Sequence, residues 1–273
     1  MEILFVGTGA AEGWPAVFCQ CEPCQRARAL GGKNIRTRSS VHIDGEYKFD
    51  FPPDTYHHVL THGLNLADIR HLIITHSHED HIDCDELRMR GEPFAHIFND
   101  QGLDVYGDRW VKELEDWGEL AEAGIRFHEV EAGSSYNVGK ARLFPFKANH
   151  FEEKSALIYV FQKDGLNLLY GNDTGFFLEE VWDGLQRFNL DVVLLDCTHG
   201  RDDNWDNHMG ISAVIKTRER MLEMGIASEE TIFVATHFSH NGGLLHDELE
   251  EKLNPHGFLV AYDGMRLEIG SRG

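Results

Sequence analysis

The chain has 273 residues, of which 42% are hydrophobic and 26% are charged. This composition is typical of a folded protein and excludes an intrinsically disordered chain. The 46 acidic residues outnumber the 25 lysines and arginines, so the formal net charge is -21. Because phosphate backbones are bound mainly through lysine and arginine, we expect neither a nucleic acid nor an anionic membrane as a partner.

The printed sequence begins with MEILFVGTGA, whose apolar run extends only from Ile3 to Val6. This run is too short for a signal peptide or a membrane span and predicts a buried first strand. Cys84 and Cys197 stand alone, away from a cluster formed by the other cysteines. This arrangement favours a reducing compartment over a disulfide framework. We therefore expect a cytoplasmic protein without a membrane partner.

Strand-like and helix-like segments follow one another along the chain. Apolar runs typical of strands are EILFVG, GEYKFDF, HLIITH, ARLFPF, SALIYVFQ, LNLLYGN, VVLLDCT, TIFVATH and FLVAYDGMRLEIG. Apolar residues that recur every three or four positions predict helices in DRWVKELEDWGELAEAG, LEEVWDGLQRF, ISAVIKTRERMLEMG and LLHDELEEKL. This order predicts a layered α/β sandwich. No repeat or Pro/Ser-rich linker divides the sequence, so we expect one domain over residues 1–273.

Three of the five cysteines lie in FCQCEPCQ, residues 18–25. Cys19, Cys21 and Cys24 have the spacing C-x-C-x-x-C, and thiolates are favoured zinc ligands. Structural zinc sites usually have four ligands, so the cluster predicts a distant fourth ligand that is Cys or His. The alternative is a set of ordinary buried or redox-active thiols. We favour the metal.

The segment THSHEDHID places metal-ligand side chains in the order H-x-H-x-D-H after the apolar run HLIIT. These side chains are His76, His78, Asp80 and His81. Imidazole and carboxylate suit zinc, manganese or iron, and this many ligands can serve two adjacent metals. The chain has 17 histidines, so a solvated His/Asp loop is the alternative. We favour a metal site because later apolar runs also lead to polar residues, at His150, Asp173, His199 and His237.

HSHEDH resembles the signature of the metallo-β-lactamase-fold hydrolases, and the later residues fall in the order of that superfamily. The resemblance implies an αββα four-layer sandwich with a dinuclear metal site along one edge of its two sheets. One metal would have the ligands His76, His78, His150 and Asp173. The other would have Asp80, His81, Asp173 and His237. Asp50 in YKFDF resembles the buried aspartate that orients ligands in this superfamily.

A closer resemblance is to the phosphoribosyl cyclic phosphate phosphodiesterases of the phosphonate-degradation (carbon-phosphorus lyase) pathway. It is carried by GTGAAEGWPAVFCQCEPCQRAR, LLDCTH, THFSH and YDGMRLEIG, which extend over nearly the whole chain. By this resemblance, the fourth ligand of the cysteine-cluster zinc is His240, three residues after His237. The same resemblance implies that His208 faces the dinuclear centre.

These resemblances imply hydrolysis of a small cyclic phosphate similar to 5-phosphoribosyl 1,2-cyclic phosphate. Two divalent metals, manganese or zinc, would lower the pKa of a bridging water and make hydroxide available as the nucleophile. We assign Asp173 to bridge the metals, Asp80 to hold the nucleophile, and His208 to contact phosphate or protonate the leaving oxygen. His199 is a weaker candidate, for which we favour a core or loop role. A homodimer is expected from the resemblance alone.

Two features depart from the pattern of those phosphodiesterases. The segment HGRDDNWDNH, which ends at His208, is acidic, and residues 200–206 near the site would disfavour a doubly charged sugar phosphate. Two additional histidines, His57 and His58, follow Asp50 in FPPDTYHH. These differences leave the exact substrate open without affecting the predicted metal chemistry.

Two alternative functions stay open. A tRNA 3′-end endonuclease of the same fold would need a basic RNA-binding arm, and this acidic chain has no such insertion. A non-hydrolytic member similar to the pyrroloquinoline quinone biosynthesis proteins would use its cysteine-cluster zinc mainly for structure. The complete His/Asp ligand set argues against such a protein. Binding of tRNA would favour the first alternative, and a single metal lost with the cysteines would favour the second.

Overall fold

A computed structural model describes residues 1–98, 101–150 and 154–270. In chain order, strands β1 to β14 of these ranges are Glu2–Gly7, Ser40–Ile43, Tyr47–Phe49, His71–Ile73, Leu103–Gly107, Ile125–Glu129, Tyr136–Val138, Ala141–Lys147, Leu157–Lys163, Leu166–Gly171, Val192–Asp196, Ile232–Thr236, Phe258–Val260 and Arg266–Glu268. Helices α1 to α8 are Glu22–Leu30, Thr55–His62, Cys84–Arg88, Arg109–Lys112, Trp117–Leu120, Glu179–Leu185, Ile211–Glu223 and His246–Leu253.

The strands form two mixed sheets. The first has the spatial order β14-β1-β2-β3-β4-β5-β6, and the second has the order β13-β12-β11-β10-β9-β8-β7. Strands β3 to β6 are parallel to one another, as are β10 to β13. Helices pack on the outer face of each sheet, which confirms the predicted αββα sandwich.

Strand β11 illustrates how the layers are held together. Successive strand residues point to opposite faces. Val192 and Leu194 therefore lie in the apolar layer between the two sheets, whereas Val193 and Leu195 lie in the layer beneath α6, α7 and α8. All four side chains are essentially inaccessible to solvent. A run that is apolar on both faces is typical of a central parallel strand, and it fixes the carboxyl end of β11 firmly in position.

The strands that precede the predicted ligands end at one edge of the sandwich. In the second sheet, β8 is antiparallel to β9, and β9 is antiparallel to β10, so β8 runs in the same direction as β10, β11 and β12. The residues that follow these strands therefore meet at a common edge. The loops after β3 and β4 of the first sheet reach the same edge, where Asp50 and the loop of His81 come together.

The helices are shorter than the sequence pattern predicts in one region. The pattern predicts one helix over residues 108–124, whereas the structure has α4, α5 and a 3-10 turn at Ala121–Ala123. Asp116 accepts from the backbone N–H of Gly118, and the indole of Trp117 donates to the carbonyl of Lys112. These local bonds compete with a continuous helix. The longest described helix has 13 residues, and none in the described ranges could cross a bilayer.

Candidate active site and cysteine cluster

The loop that follows β4 carries four of the predicted ligands. His76 Nε2 lies 2.8 Å from His78 Nδ1, and His81 Nε2 lies 3.2 Å from Asp80 Oδ2. The hydroxyl of Thr75 lies 3.1 Å from Nδ1 of His76 and from Nδ1 of His81, at the base of the loop. The four side chains therefore converge from one short loop, as the motif predicts.

The second sheet brings the other predicted ligands to the same place. Asp173 follows β10, and its Oδ2 lies 2.6 Å from His81 Nε2 and 3.0 Å from His237 Nε2. The ring of His150, which follows β8, lies 5.1 Å from the ring of His76. Asp173 therefore lies between ligands of both sheets, which is where a bridging carboxylate is needed.

Hydrogen bonds on the far nitrogen orient three of the imidazoles. Nδ1 of His81 lies 2.9 Å from Asp50 Oδ2, and Nδ1 of His150 lies 3.0 Å from the carbonyl oxygen of Asn207. Thr198 donates its hydroxyl to the His237 carbonyl, so Nδ1 of His237, 2.7 Å away, donates back to that hydroxyl oxygen. Each bond would hold the proton on Nδ1 and leave Nε2 as the ligand atom when a metal is bound at the centre.

Three buried atoms at the centre meet one another at close range: Oδ2 of Asp173 lies between Nε2 of His81 and Nε2 of His237. Burial alone raises the pKa of Asp173, but the two histidines hold it well below the ordinary value. Buried imidazoles and carboxylates that converge on one point form a donor set that fits divalent cations. Ligand atoms lie within 4.8 Å of one another in the sets His76/His78/His150, His76/His81/Asp173 and Asp80/His81/His237.

Backbone conformation explains how strand ends deliver these side chains. Asp50, Asp173 and His237 each follow a strand and have positive φ angles of 59°, 46° and 58°. Residues with a Cβ rarely adopt this left-handed region, and such strain concentrates at functional sites. The left-handed conformation ends each strand at these residues, which lie at the sheet edge.

His208 lies beside the ligands and has a partner that the sequence analysis missed. Its Nδ1 is 2.7 Å from Asp196 Oδ2 and 3.6 Å from Asp173 Oδ1. Burial lowers the pKa of His208, but the two carboxylates outweigh it and raise that pKa to about 9. Asp196 is fully buried at the end of β11 and groups with Asp173, His208 and His237. An acidic residue that ends the apolar run VVLLD was the signal available in the sequence.

A cavity of about 710 Å³ opens above the ligands. Its lining includes His78, Asp80, His150, Asp173, His208 and His237. His199 also lines the cavity, where its Nε2 accepts from the side-chain amide of Asn204 at 3.0 Å. None of residues 200–206 is among the described residues of the lining. The carboxylate of Asp203 instead accepts from Trp205 and Ser212, so this acid turns toward α7.

The two additional histidines lie on α2, away from the ligand cluster. His58 is fully buried and its Nε2 lies 2.7 Å from the hydroxyl of Thr37. His57 is exposed, 3.1 Å from Thr61. Burial, with help from Lys48, lowers the pKa of His58 to about 2, so this ring is neutral. His58 therefore packs α2 against the rest of the protein, and His57 is a surface residue.

The cysteine cluster forms a second group of metal-ligand side chains at the rim of the cavity. The ligand atoms of Cys19, Cys21, Cys24 and His240 lie within 4.8 Å of one another. Nδ1 of His240 is 3.3 Å from the sulfur of Cys21. Its Nε2 is 3.5 Å from Glu12, which lines the cavity and also accepts from Ser239. Three thiols and one imidazole are a donor set that fits tetrahedral zinc.

Comparison with known proteins defines the class of this chain. The profile of the beta-lactamase superfamily domain matches residues 50–264, so the chain belongs to that superfamily. Together with the buried His/Asp cluster, this membership identifies a metal-dependent hydrolase. A ribonuclease Z from Lactococcus lactis subsp. cremoris is 27% identical over 137 residues, which cover 48% of this chain and 40% of the relative. The curated relatives are thus matched over less than half of their length.

Solved structures share the fold over almost the whole chain. A diphosphatase from the PhnP family has a TM-score of 0.76 and 21% identity, and the match covers 97% of this chain and 96% of that one. Zn²⁺-bound PqqB from Methylobacterium extorquens has a TM-score of 0.70 and 16% identity, with 98% and 100% covered. These likenesses establish the αββα fold.

Proposed function

We propose that this protein is a phosphodiesterase that hydrolyses a small cyclic phosphate similar to 5-phosphoribosyl 1,2-cyclic phosphate. The observation that carries the proposal is the cavity above the ligands. Its volume of about 710 Å³ suits a small molecule, and Asp80 and His208 both line it. The acidic loop of residues 200–206 is not among the described residues of its lining, whereas Glu12 and Glu79 are.

The proposed site would hold two divalent cations, manganese or zinc, with Asp173 between them. His76, His78 and His150 would complete one ligand set, and Asp80, His81 and His237 the other. Such a pair supplies Lewis acidity and an activated water when bound. The cysteine cluster with His240 would hold one structural zinc and keep the cavity rim in place.

The two proposed catalytic residues have different surroundings. The Asp80 carboxylate is mostly buried beside His81, which holds its pKa below the ordinary value against the opposing effect of burial. A permanently ionised carboxylate accepts a hydrogen bond and can orient the attacking water. His208 donates Nδ1–H to Asp196, which leaves Nε2 for a phosphoryl oxygen or the leaving oxygen. Asp196 thus positions His208.

The proposal is tested by hydrolysis of 5-phosphoribosyl 1,2-cyclic phosphate with the manganese-loaded protein. We expect turnover in the wild type and a loss of roughly 10²–10⁴-fold in Asp80→Ala. The matched control is Asp85→Ala, because Asp85 lies nearby in the sequence but its side chain is 90% exposed. Cleavage of an artificial diester without turnover of the cyclic phosphate would retain a phosphodiesterase and reject this substrate.

A second candidate is a tRNA 3′-end endonuclease, which the likeness to the ribonuclease Z favours. Against it stands the net charge of -21, because RNA binding depends on neutralising phosphates with lysine and arginine. A filter-binding measurement with tRNA at physiological salt distinguishes the two. Saturable binding and cleavage of the tRNA 3′ trailer would replace the cyclic phosphate proposal.

A third candidate is a non-hydrolytic protein similar to the one solved as Zn²⁺-bound PqqB. In that case zinc at the cysteine cluster would account for the metal content. The converging buried side chains of His81, Asp173 and His237 argue for further metal at the sheet edge. A metal analysis that finds one ion per chain, lost when the cysteines are replaced, would favour this candidate.

A further inference from the structure

Arg38 lies on the wall of the active-site cavity although it belongs to none of the ligand loops. It precedes β2, and its guanidinium is held on two sides. Nε donates to the carbonyl of Ala11 at 2.7 Å, and Nη1 donates to Asp54 Oδ2 at 3.0 Å. The Arg38 backbone N–H donates to the same carboxylate oxygen at 2.9 Å. The guanidinium is therefore fixed before a substrate enters.

The anchoring contacts leave hydrogen-bond donors unused. A guanidinium has five N–H groups, and Ala11 and Asp54 take two of them. No other side-chain acceptor for Arg38 occurs in the described part of the chain, so both N–H groups of Nη2 stay available. The side chain is 24% exposed. A planar pair of donors that is pre-oriented in this way suits a phosphate or carboxylate.

The charge of the cavity makes this arginine unusual. Among the described lining residues, the only lysine or arginine side chains are Arg38 and Lys154. Among the acidic lining residues, Glu12 contacts Ser239, and Asp80 and Asp173 contact His81, whereas Glu79 is exposed. A cation that lines the cavity but belongs to none of the ligand sets can attract an anionic group other than the one that reacts.

We propose that Arg38 recognises a phosphate monoester carried by the substrate in addition to the phosphodiester that is cleaved. The inference rests on the proposed phosphodiesterase function and assigns the residue that recognises the terminal phosphate of such a substrate. The diester is held at the ligand cluster, and the monoester dianion pairs with Nη2 of Arg38. Arg38 is thus a specificity-determining residue, and it takes no part in bond cleavage.

The test compares two substrates in Arg38→Gln. One is 5-phosphoribosyl 1,2-cyclic phosphate, and the other is ribose 1,2-cyclic phosphate, which lacks the terminal phosphate. A charge-assisted hydrogen bond contributes about 1.5–3 kcal/mol, so we expect kcat/KM for the first substrate to fall roughly 10- to 150-fold. We expect the value for the second to change less than about threefold. Arg38→Lys keeps the positive charge but lacks the planar pair of N–H donors, so its kcat/KM for the first substrate should lie between those of Arg38→Gln and the wild type.

The matched control is Arg126→Gln, which makes the same charge change at an exposed arginine paired with Asp104. It should leave both substrates unaffected. Equal losses for both substrates in Arg38→Gln, with unchanged metal content, would overturn the inference, as would no loss for either. Neither result would question the phosphodiesterase itself, provided that the wild type turns over.

Binding of ribose 5-phosphate, measured by calorimetry, separates this inference from the proposed function. This ligand carries the monoester but no diester, so its affinity does not depend on catalysis. We expect Arg38→Gln to weaken it at least tenfold, which corresponds to about 1.4 kcal/mol. If the wild type hydrolyses neither cyclic phosphate but still binds ribose 5-phosphate through Arg38, the proposed function fails and the anion site stands. Equal affinities in wild type and variant would reject the anion site.

Discussion

Oδ2 of Asp50 lies 2.9 Å from Nδ1 of His81, and both side chains are fully buried. The other carboxylate oxygen accepts from the backbone N–H and the hydroxyl of Thr75, each at 2.9 Å. Tyr170 donates to Asp50 Oδ2 from the second sheet. Asp50 therefore connects both sheets to the orientation of a single imidazole, as the resemblance of YKFDF implies.

Replacing Asp50 with Asn should weaken metal binding at the sheet edge. The amide keeps the shape but removes the charge that stabilises the Nδ1–H tautomer of His81, and loss of such an orienting partner typically costs 10–100-fold in metal affinity. Competition with a chromophoric chelator measures the change. Asp183→Asn, at an exposed position of α6, is the control. An unchanged affinity in Asp50→Asn would show that the His81 tautomer is fixed by other contacts.

Replacing Cys24 with Ser should remove one zinc ion per chain and leave the other metals bound. Cys24 is completely buried and belongs to the Cys3His set, so its loss breaks a closed tetrahedral site. Elemental analysis of the purified variant gives the stoichiometry. Cys84→Ser, outside the cluster, is the control. The hypothesis of a structural zinc fails if the zinc content of Cys24→Ser equals that of the wild type.

Replacing Gly210 with Ala should lower kcat without releasing metal. A Cβ at this position would lie 2.0 Å from the carbonyl oxygen of Asp202, so the loop that carries His208 must shift. A displacement of about 1 Å in a catalytic group costs roughly 10²-fold in rate. Steady-state kinetics together with metal analysis separate the two effects. Gly270→Ala, whose Cβ meets no atom within 4 Å, serves as the control.

Replacing Lys48 with Met should stabilise the protein. Lys48 is fully buried, its Nζ donates to Ser40, and burial lowers the pKa of its amine to about 7. An ordinary lysine titrates near 10.4 in the unfolded chain, so the unfolded state binds more protons between these values and stability rises with pH. A methionine of similar volume removes this penalty and should add roughly 1–4 kcal/mol to the free energy of unfolding near neutral pH.

The pH dependence distinguishes this electrostatic effect from better packing. Urea unfolding at pH 7 and pH 9 should show that the advantage of Lys48→Met over the wild type shrinks as pH rises, because the wild type loses its protonation penalty. The negative charge of Asp50 partly offsets the lowering of the Lys48 pKa, and Asp50 is present in both the wild type and the variant. An advantage that is equal at both pH values would attribute the gain to packing alone.

Much of the site was predictable because its ligands follow apolar strands. Apolar strand segments that are recognisable in the sequence lead directly to His76, His150, Asp173 and His237. Parallel strands bring the carboxyl ends of such segments together. The same runs predicted a layered α/β sandwich, and the resemblance of HSHEDH implied its αββα arrangement. Strands β2, β5, β6 and β7 and helices α1 to α3 were not predicted, because their apolar stretches are too short to show a period.

Other features depend on contacts that no local pattern contains. Arg38 becomes part of the cavity only because the chain places it against Ala11 and Asp54. Asp196 ends the apolar run VVLLD, but only the folded loop that follows brings His208 against its carboxylate. The predicted helix over residues 108–124 failed because Asp116 starts a separate helical turn. In each case a specific tertiary or side-chain contact overrides the local pattern.

The ligand set draws on both sheets of the sandwich, with Asp80 and His81 from one and Asp173 and His237 from the other. A cation bound there would cross-link the two layers at this edge of the sandwich. Its binding free energy would therefore also add to the free energy of unfolding of the sandwich. A chain deprived of metal would keep its apolar interior yet loosen first along this margin, where like charges of Asp80 and Asp173 would no longer be neutralised.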